Sequence, residues 1–490
     1  MGWVSSGDRT LSAAEFNDRV ARAATVLAEL GIQKGDGVAL YLRNDLAFFE
    51  ASFGAGLLGV YPVPVNWHYT PDEAGYLLRD SGVKLLLIHA DLLPPIAAAI
   101  PEGLKVVVVA TPPEIQAAYG VSGDLPPGLP VWHELLDKAA PWEREPEVAP
   151  STIIYTSGTT GRPKGVWRDT FTPEQAAATT RMLGWSYGYT DYLEGRRDPA
   201  EIVTAVVGPV YHAAPNAHSG FSIRAGANVI IVPRFDAEGL LKLIEDRRIT
   251  HLNMVPIMFN RLLRLPAEVR SKYDLSSLRY VTHAAAPCPP PVKRAMIEWW
   301  GPIINEYYGS TETGAVVYCT AEEWLKHPGT VGKALPNVKL RILGDDGEDV
   351  AQGTPGDLYV RLTTGLDFTS LADRSRPQLI DRPGQTRQRH RRSQCHRPPL
   401  TKARQQHTEA AGPRPRQLGP EGRHGQNRRN QREGQKPTDH RQHTRAGFGE
   451  FPRCLGVTAR VRHSPLPRAP AGTLDGPQRT HKQRVTTAQT

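Results

Sequence analysis

The most informative segment of the sequence is Ser151-Thr-Ile-Ile-Tyr-Thr-Ser-Gly-Thr-Thr-Gly-Arg-Pro-Lys-Gly-Val166. In this segment a short apolar, strand-like part is followed by hydroxyl-bearing residues and glycines. Glycines let backbone N–H groups approach a phosphate closely, hydroxyls add donors, and Lys164 supplies a mobile positive charge. Composition alone would favour a polar Ser/Thr/Gly linker, because such runs are common in loops. A Walker A loop is excluded, because it needs Gly-Lys-Ser/Thr, whereas here Pro163 precedes Lys164 and Gly165 follows it.

Helix and strand patterns alternate on both sides of this stretch, as in α/β proteins. Capping boxes at Ser12-Ala-Ala-Glu15 and Thr70-Pro-Asp-Glu73 predict two helix starts. Buried strands are predicted at 38–42, 84–88, 106–109, 202–207, 229–232 and 278–281, and helices at 236–247, 257–265 and 291–300. Short strands at 338–343 and 357–361, separated by glycine-rich turns, predict a small β subdomain. We therefore expect an α/β domain over residues 1–370, with helix-covered, mainly parallel sheet.

The charge of the chain is unevenly distributed. The formal net charge is +9, but residues 371–490 hold 23 Arg and 3 Lys against 4 Asp and 4 Glu, which gives +18 there and −9 for residues 1–370. The same 120 residues contain no Trp, Tyr or Met, and only 20% of them are apolar, against 40% for the whole chain. A segment of this composition cannot bury enough apolar surface to offset its ordering entropy. We expect residues 371–490 to be a largely disordered, low-complexity basic tail.

Several classes of protein are disfavoured by composition. The four cysteines, Cys288, Cys319, Cys395 and Cys454, are widely spaced, which argues against a disulfide framework and a structural zinc site. No apolar run approaches the ~18 residues of a membrane span, and the start of the chain lacks the features of a signal peptide. We expect a cytoplasmic protein with no transmembrane segment.

A second motif, Asn305-Glu-Tyr-Tyr-Gly-Ser-Thr-Glu-Thr-Gly314, lies downstream of the first. The two motifs, in this order, resemble the signature loop and the Tyr-Gly-x-Thr-Glu motif of the adenylate-forming superfamily, which includes acyl-CoA synthetases. The resemblance covers about three quarters of the chain. Weaker matches are Pro209-Val-Tyr-His212, similar to the substrate-gate segment of the family, and Ala284-Ala-Ala-Pro287, similar to its adenine-flanking turn.

The resemblance implies roles for individual residues. Lys164, Thr311 and Glu312 are the implied catalytic residues, and His212 and Ala284 belong to the wall for the acyl substrate. Tyr308 is expected to stack on adenine, and Thr156 and Glu312 to hold Mg²⁺, since hard oxygen ligands suit a hard cation. The implied ATP-binding residues are Thr156, Ser157, Gly158, Thr159, Thr160, Gly161, Lys164, Ala285, Ala286, Pro287, Tyr308, Gly309 and Thr311.

The implied activity is the ATP-dependent activation of a carboxylic acid, with a fatty acid as the expected substrate, followed by transfer to CoA. The second step needs a small C-terminal domain. Its expected Gly-Asp pair, hinge and late lysine have no credible counterpart after residue 370. We hypothesise that the reading frame changes near this point, so that the other frames of the gene would encode the missing motifs.

Two other functions stay open on the sequence. The chain could be a degenerate remnant that binds a nucleotide or an adenylate with little turnover. Alternatively, its basic tail could bind nucleic acid, because a charge of +18 in residues 371–490 favours phosphate backbones. The tail lacks interleaved aromatic residues, so we expect no specific nucleic-acid partner.

Overall fold

A computed structural model describes residues 2–156, 162–344 and 348–363, together with the backbone of three short strands at 369–370, 460–462 and 481–485. These residues belong to one compact unit, and the second unit, Leu379–Cys454, lies outside the described residues. None of the described helices is long and apolar enough to cross a membrane. The described α-helices are α1 (Ala13–Glu29), α2 (Leu46–Leu57), α3 (Pro71–Ser81), α4 (Leu93–Ile96), α5 (Pro113–Tyr119), α6 (Trp132–Lys138), α7 (Pro173–Tyr187), α8 (Thr190–Leu193), α9 (Ala213–Arg224), α10 (Ala237–Arg247), α11 (Pro256–Leu263), α12 (Ala267–Arg270), α13 (Pro290–Trp300) and α14 (Ala321–Lys326).

Four sheets are formed by the described strands. Their bounds are β1 (Trp3–Ser6), β2 (Arg9–Ser12), β3 (Gly37–Tyr41), β4 (Tyr61–Pro64), β5 (Leu85–His89), β6 (Lys105–Val109), β7 (Ile154–Thr156), β8 (Lys164–Trp167), β9 (Val203–Val206), β10 (Asn228–Ile231), β11 (His251–Met254), β12 (Tyr280–His283), β13 (Ile304–Ser310), β14 (Gly314–Cys319), β15 (Lys333–Ala334), β16 (Val338–Leu343), β17 (Gly356–Leu362), β18 (Thr369–Ser370), β19 (Arg460–Arg462) and β20 (His481–Val485).

The largest sheet has nine strands in the order β15-β14-β13-β12-β11-β9-β10-β1-β2. Its six central strands, from β13 to β1, run parallel, and the outer strands are antiparallel. Helices α10, α11 and α13 contribute Leu241, Phe259 and Met296 to a buried core that also takes side chains from β9, β11 and β12. The predicted parallel, helix-covered sheet is confirmed, with the predicted strands 202–207, 229–232 and 278–281 matching β9, β10 and β12 within two residues.

A second parallel sheet has the order β4-β3-β5-β6. Every residue of β5 is buried, because side chains cover both faces of the strand. The two predicted helix starts next to this sheet are confirmed. Ser12 accepts from the Glu15 backbone N–H, and the Glu15 carboxylate accepts from the Ser12 N–H at 2.8 Å; Thr70 and Glu73 repeat the arrangement.

Two smaller antiparallel sheets complete the described fold. One has the order β18-β8-β7 and contains the hairpin that flanks the Ser157–Gly161 segment. The other has the order β16-β17-β20-β19, so the predicted β subdomain at 338–361 gains two short strands from residues 371–490. The rest of the expected disordered tail lies outside the described residues.

Candidate active site

A cavity of about 1620 Å³ opens where the parallel strands of the large sheet end. Its wall includes Val207 just after β9, Val255 just after β11, Ala284 just after β12, and Ser310 at the end of β13. These are the carboxyl ends of neighbouring parallel strands, the usual place for a ligand in an open α/β sheet. The fold therefore brings loops that are distant in sequence to one site.

Most of the described residues that the sequence implicated lie in this cavity wall. They are Thr156, His212, Ala284, Ala285, Ala286, Gly309, Thr311 and Glu312. Lys164 is instead an exposed residue at the start of β8, Pro287 is exposed beyond the Ala284–Ala286 turn, and Tyr308 is half-buried on β13. Ser157, Gly158, Thr159, Thr160 and Gly161 lie outside the described residues.

The turn between β13 and β14 carries Thr311 and Glu312 into the cavity. Its base is closed by Ser310 and Thr313, because each hydroxyl accepts from the backbone N–H of the other at 3.2 Å. The two strands approach so closely here that a Cβ atom on Gly309 would lie 1.9 Å from the Gly314 carbonyl oxygen. A side chain at residue 309 would force the strands apart, so glycine is required beside the two implied catalytic residues.

Arg168, which sequence reasoning missed, connects the two motifs. It follows β8 and lines the cavity. Its Nη2 donates to the backbone carbonyls of Thr311 at 2.5 Å and Glu312 at 2.9 Å. Burial lowers the pKa of Arg168, and the charge of Glu312 opposes that shift. The guanidinium thus fixes the turn that presents Thr311 and Glu312.

The turn after β12 has a strained backbone. Ala285 has a φ of +70°, a region that L-residues other than glycine, asparagine and aspartate rarely adopt. Ala284 is buried, whereas Ala285 and Ala286 are exposed and line the cavity. Residues held in such conformations cluster at ligand-binding sites. The Ala284–Ala286 segment therefore presents backbone groups and small side chains to the cavity.

The rest of the cavity wall is largely aromatic and aliphatic. Met182, Tyr187, Phe221 and Tyr307 line it, and the Tyr187 and Tyr307 rings lie 6.2 Å apart. Partial burial and then the nearby His68 lower the pKa of His212, which keeps this side chain mainly neutral at pH 7. An apolar wall of this kind suits an apolar part of a ligand.

The charges in the wall are mostly positive. Four arginines line the cavity, and Glu312 is the one carboxylate among its described lining residues; the arginines are Arg168, Arg224, Arg234 and Arg261. Such a wall favours anionic ligands, because it raises their local concentration and stabilises their charge.

The cavity wall contains two oxygen-bearing side chains, Glu312 and Thr156, that suit Mg²⁺. No group of three or more His, Cys, Asp or Glu side chains that could hold a metal occurs among the described residues. Mg²⁺ in ATP-using enzymes is usually held by one or two carboxylates together with phosphates and water. Glu312 and the Thr156 hydroxyl, which both line the cavity, fit that mode of binding rather than an all-protein cage.

Residues 3–365 match the family model described as AMP-binding enzyme. The chain belongs to this family. It is 30% identical over 365 residues to indoleacetate–CoA ligase of Aromatoleum aromaticum, a match that covers 72% of this chain and 66% of the relative. It is 29% identical over 345 residues to the long-chain-fatty-acid–CoA ligase FadD13 of Mycobacterium tuberculosis, covering 70% of this chain and 63% of that protein. The match thus spans about two thirds of the length of these relatives.

Solved structures of the same fold include a benzoate CoA ligase from Burkholderia xenovorans LB400, with a TM-score of 0.61, 21% identity and coverage of 74% of this chain and 68% of that one. ATP-bound MatB from Rhodopseudomonas palustris gives a TM-score of 0.62 at 24% identity, covering 75% and 68%. At this identity the likeness concerns the fold, and it confirms the α/β adenylate-forming architecture over the described domain.

Proposed function

We propose that this chain activates a carboxylic acid with ATP to give an acyl-adenylate and pyrophosphate. The observation that supports this most is the single cavity that unites Thr156, the Ala284–Ala286 turn and the Thr311–Glu312 turn beneath an arginine-rich wall. In the reaction, a substrate carboxylate oxygen bonds to the α-phosphorus of ATP. The bond from that phosphorus to the bridging oxygen breaks, and pyrophosphate leaves with the electron pair.

Two anions must meet in this step, so the task of the protein is positioning and neutralisation. The Thr311 hydroxyl donates to the α-phosphate, and Arg168 keeps Thr311 in place through its backbone carbonyl. Glu312 and Thr156 would hold Mg²⁺, which would neutralise phosphate charge when bound. Tyr308 and the Ala284–Ala286 turn receive adenine, and Lys164 with residues 157–161 receives the distal phosphates.

The acid that we propose has an apolar body, with a fatty acid as the first candidate. The support is the wall formed by Met182, Tyr187, Phe221 and Tyr307 around the neutral His212. The relatives named above act, by their names, on indoleacetate and on long-chain fatty acids. An aromatic acid therefore belongs in the same panel of substrates.

Transfer of the acyl group to CoA, in the cytoplasm, is the second part of the proposal. The motifs expected for it have no credible counterpart in residues 371–490. A CoA thioester formed by this chain would contradict the hypothesis of a changed reading frame. Adenylate formation without thioester would instead support a chain that is limited to the first half-reaction.

The test is ATP–pyrophosphate exchange by the full chain with fatty and aromatic acids, followed by a thioester assay with CoA. We expect acid-dependent exchange that requires Mg²⁺ and falls by about a hundredfold or more in Glu312→Gln, because the carboxylate that neutralises charge is lost. Glu298→Gln, a change outside the cavity wall on α13, is the matched control. Binding of ATP without exchange for any acid would contradict the proposal and favour a degenerate remnant.

A further inference from the structure

The turn that carries His212 is held by two asparagine side chains. It comprises residues 208–212, between β9 and α9. Val210, at its centre, is fully buried. The Val210 N–H donates to Oδ1 of Asn44 at 3.0 Å, and the Val210 carbonyl accepts from Nδ2 of Asn216, also at 3.0 Å. Both polar backbone groups at the centre of the turn are therefore bonded to side-chain amides.

Asn44 reaches this turn from the second parallel sheet. It is the third residue after β3, and it is buried. Its Nδ2 donates to the carbonyl of Gly208, just after β9, at 2.9 Å and to that of Val232, just after β10, at 3.1 Å. An amide nitrogen has two hydrogens, so both donors are used. One side chain thus joins the 208–212 turn to the ends of β3 and β10.

Asn216 holds the turn from the opposite side. It lies in the first turn of α9 and, like Asn44, lines the cavity. The backbone packs tightly here, because a Cβ atom on Gly208 would lie 2.7 Å from the Cγ atom of Pro215 on the same helix. The 208–212 turn is therefore confined between α9 and the Asn44 amide.

The rings of Tyr211 and His212 project from this turn into the cavity wall. Their centres lie 4.5 Å apart, and the Tyr211 ring meets the Trp67 ring edge to face with centres 6.4 Å apart. Tyr211 is buried, whereas His212 is exposed. Because Val210 directly precedes both residues in the chain, a displacement of its backbone would move both rings.

The turn that presents Thr311 and Glu312 is held by different contacts, since Arg168 bonds to its backbone carbonyls. The bonds of the two asparagine amides end instead on the 208–212 turn and on the chain just after β10. Loosening these amide bonds should therefore displace the wall beside His212 more than the residues assigned to ATP.

We propose that Asn44 and Asn216 are positioning residues that determine which carboxylic acid the cavity accepts, by fixing the wall formed by Tyr211 and His212. This inference rests on the proposed function, which assigns His212 to the acid. Side chains discriminate between ligands only when their own positions are fixed by packing and by hydrogen bonds behind them. A fixed wall excludes an acid of the wrong length or breadth, whereas a loose wall would shift to admit it.

Asn228 provides a matched control. It is a buried asparagine whose amide, like that of Asn44, bonds to distant backbone groups. Its Nδ2 donates to the Ala200 carbonyl at 2.7 Å, and its Oδ1 accepts from the Trp3 N–H at 3.2 Å. Asn228 lies outside the cavity wall. Its replacement therefore measures what the loss of a buried amide does to the fold in general.

The first measurement is amide hydrogen exchange of the full chain, followed by mass spectrometry. We expect exchange in residues 208–212 to be about tenfold faster or more in Asn44→Ala and in Asn216→Ala, because each variant loses a bond to Val210. Asn228→Ala should leave exchange in this segment unchanged. Thermal melting checks that each variant folds.

The second measurement is pyrophosphate exchange with straight-chain acids, from hexanoic to hexadecanoic acid, and with benzoic acid. In Asn44→Ala we expect the KM of the best acid to rise about tenfold and the KM for ATP to stay within about twofold. The preference among the acids should become weaker, and Asn228→Ala should keep it. In the double variant Asn44→Ala with Asn216→Ala, the two effects should not simply add, because both act through Val210.

Unchanged hydrogen exchange at residues 208–212 overturns the inference, and so does faster exchange with an unchanged preference among acids. A rise in the KM of the acid without faster hydrogen exchange would mean that Asn44 contacts the acid directly, which also overturns it. An equal change of preference in Asn228→Ala would show a general effect of instability and likewise exclude a positioning role.

Failure of the proposed function would give a different result. The wild type would then support pyrophosphate exchange with none of the acids, and calorimetric binding of the same acids would decide about the two asparagines. A binding preference that is lost in Asn44→Ala and kept in Asn228→Ala preserves their positioning role without the activity. A preference that survives Asn44→Ala, or the absence of binding by every acid, contradicts that role.

Discussion

Arg168 determines how firmly Thr311 is held, because one guanidinium nitrogen bonds to the carbonyls of both Thr311 and Glu312. We expect Arg168→Gln to lower the maximal rate of pyrophosphate exchange by about ten- to a hundredfold, since small displacements of a positioned group have effects of this size. The KM for ATP should change less, because the adenine contacts remain. Steady-state exchange kinetics measure both quantities.

A purely structural role for Arg168 would give a different result. Arg168→Gln would then lower the melting temperature and leave the rate per folded molecule unchanged. Arg264→Gln, at an exposed residue just after α11, should alter neither. If Arg168→Gln, like Arg264→Gln, leaves the exchange rate unchanged, Arg168 is not a positioning residue.

Individual site residues were predictable from sequence where they stand in contiguous motifs. Thr156, Thr311 and Glu312 occur beside glycines and hydroxyls in runs that have a recognisable chemistry, and the structure places all three in one cavity. Arg168 occurs in no such run. It is significant only because folding brings it against the distant carbonyls of Thr311 and Glu312, and a single arginine in a sequence carries no sign of those contacts.

A buried ion pair joins two elements behind the site. Lys293 on α13 is fully buried, and its Nζ lies 2.7 Å from the Glu306 Oε2 on β13, the strand that leads to Thr311. Burial raises the pKa of Glu306 in spite of the lysine. We expect Lys293→Met to lower the free energy of unfolding by about 3–5 kcal/mol, because it leaves Glu306 buried without its partner.

The double variant Lys293→Met with Glu306→Gln distinguishes the effect of the unpaired charge on stability from the effect of changed packing. It should recover part of the stability lost by Lys293→Met alone, since no uncompensated charge remains. Denaturant unfolding of the wild type, both single variants and the double variant measures this coupling. If the losses of unfolding free energy in the two single variants simply add up in the double variant, Lys293 and Glu306 do not stabilise the fold as an ion pair.

Elements with a clear periodicity were predicted well, and others were missed for a physical reason. The apolar runs of β5 and β6 and the capping box of α1 are visible in sequence and match the structure. Helix α2 was not predicted, because nine of its residues are buried and no polar face marks its period. Strand β1 has only four residues, and its place in the sheet depends on β10, more than two hundred residues later.

The free energy of unfolding of the whole molecule should fall in mild acid, because three histidines are buried in the native state. Burial lowers the pKa of His218 and His283 to about 3 and that of His251 to about 4. The unfolded chain binds protons at these groups below its ordinary histidine pKa of ~6.5, whereas the native state does not until the lower pKa is reached. Stability should therefore fall as the pH is lowered from about 6.5 towards 4, by about 2 kcal/mol for each histidine at pH 5.

Chemical denaturation at a series of pH values between 7.5 and 5 measures this dependence. His218→Leu removes one titrating group, so its stability should fall less steeply with pH than that of the wild type, whatever its stability at pH 7.5. His133→Leu, at an exposed residue of α6, is the control and should keep the wild-type slope. If the stability of His218→Leu falls with pH as steeply as that of the wild type, protonation of His218 on unfolding does not cause the pH dependence.

The long sequence separation between β1 and β10 also has a consequence for synthesis. Residues Val4 to Ser6 of β1 pair in parallel with Val229 to Ile231 of β10. A ribosome adds about 5–20 residues per second, so these first residues wait on the order of tens of seconds before their neighbour exists. During that time β1 has only β2 beside it, and one edge of the hairpin stays open to chaperones or to another nascent chain. Among the described strands of this sheet, β1 thus waits through the longest stretch of synthesis for its second neighbour.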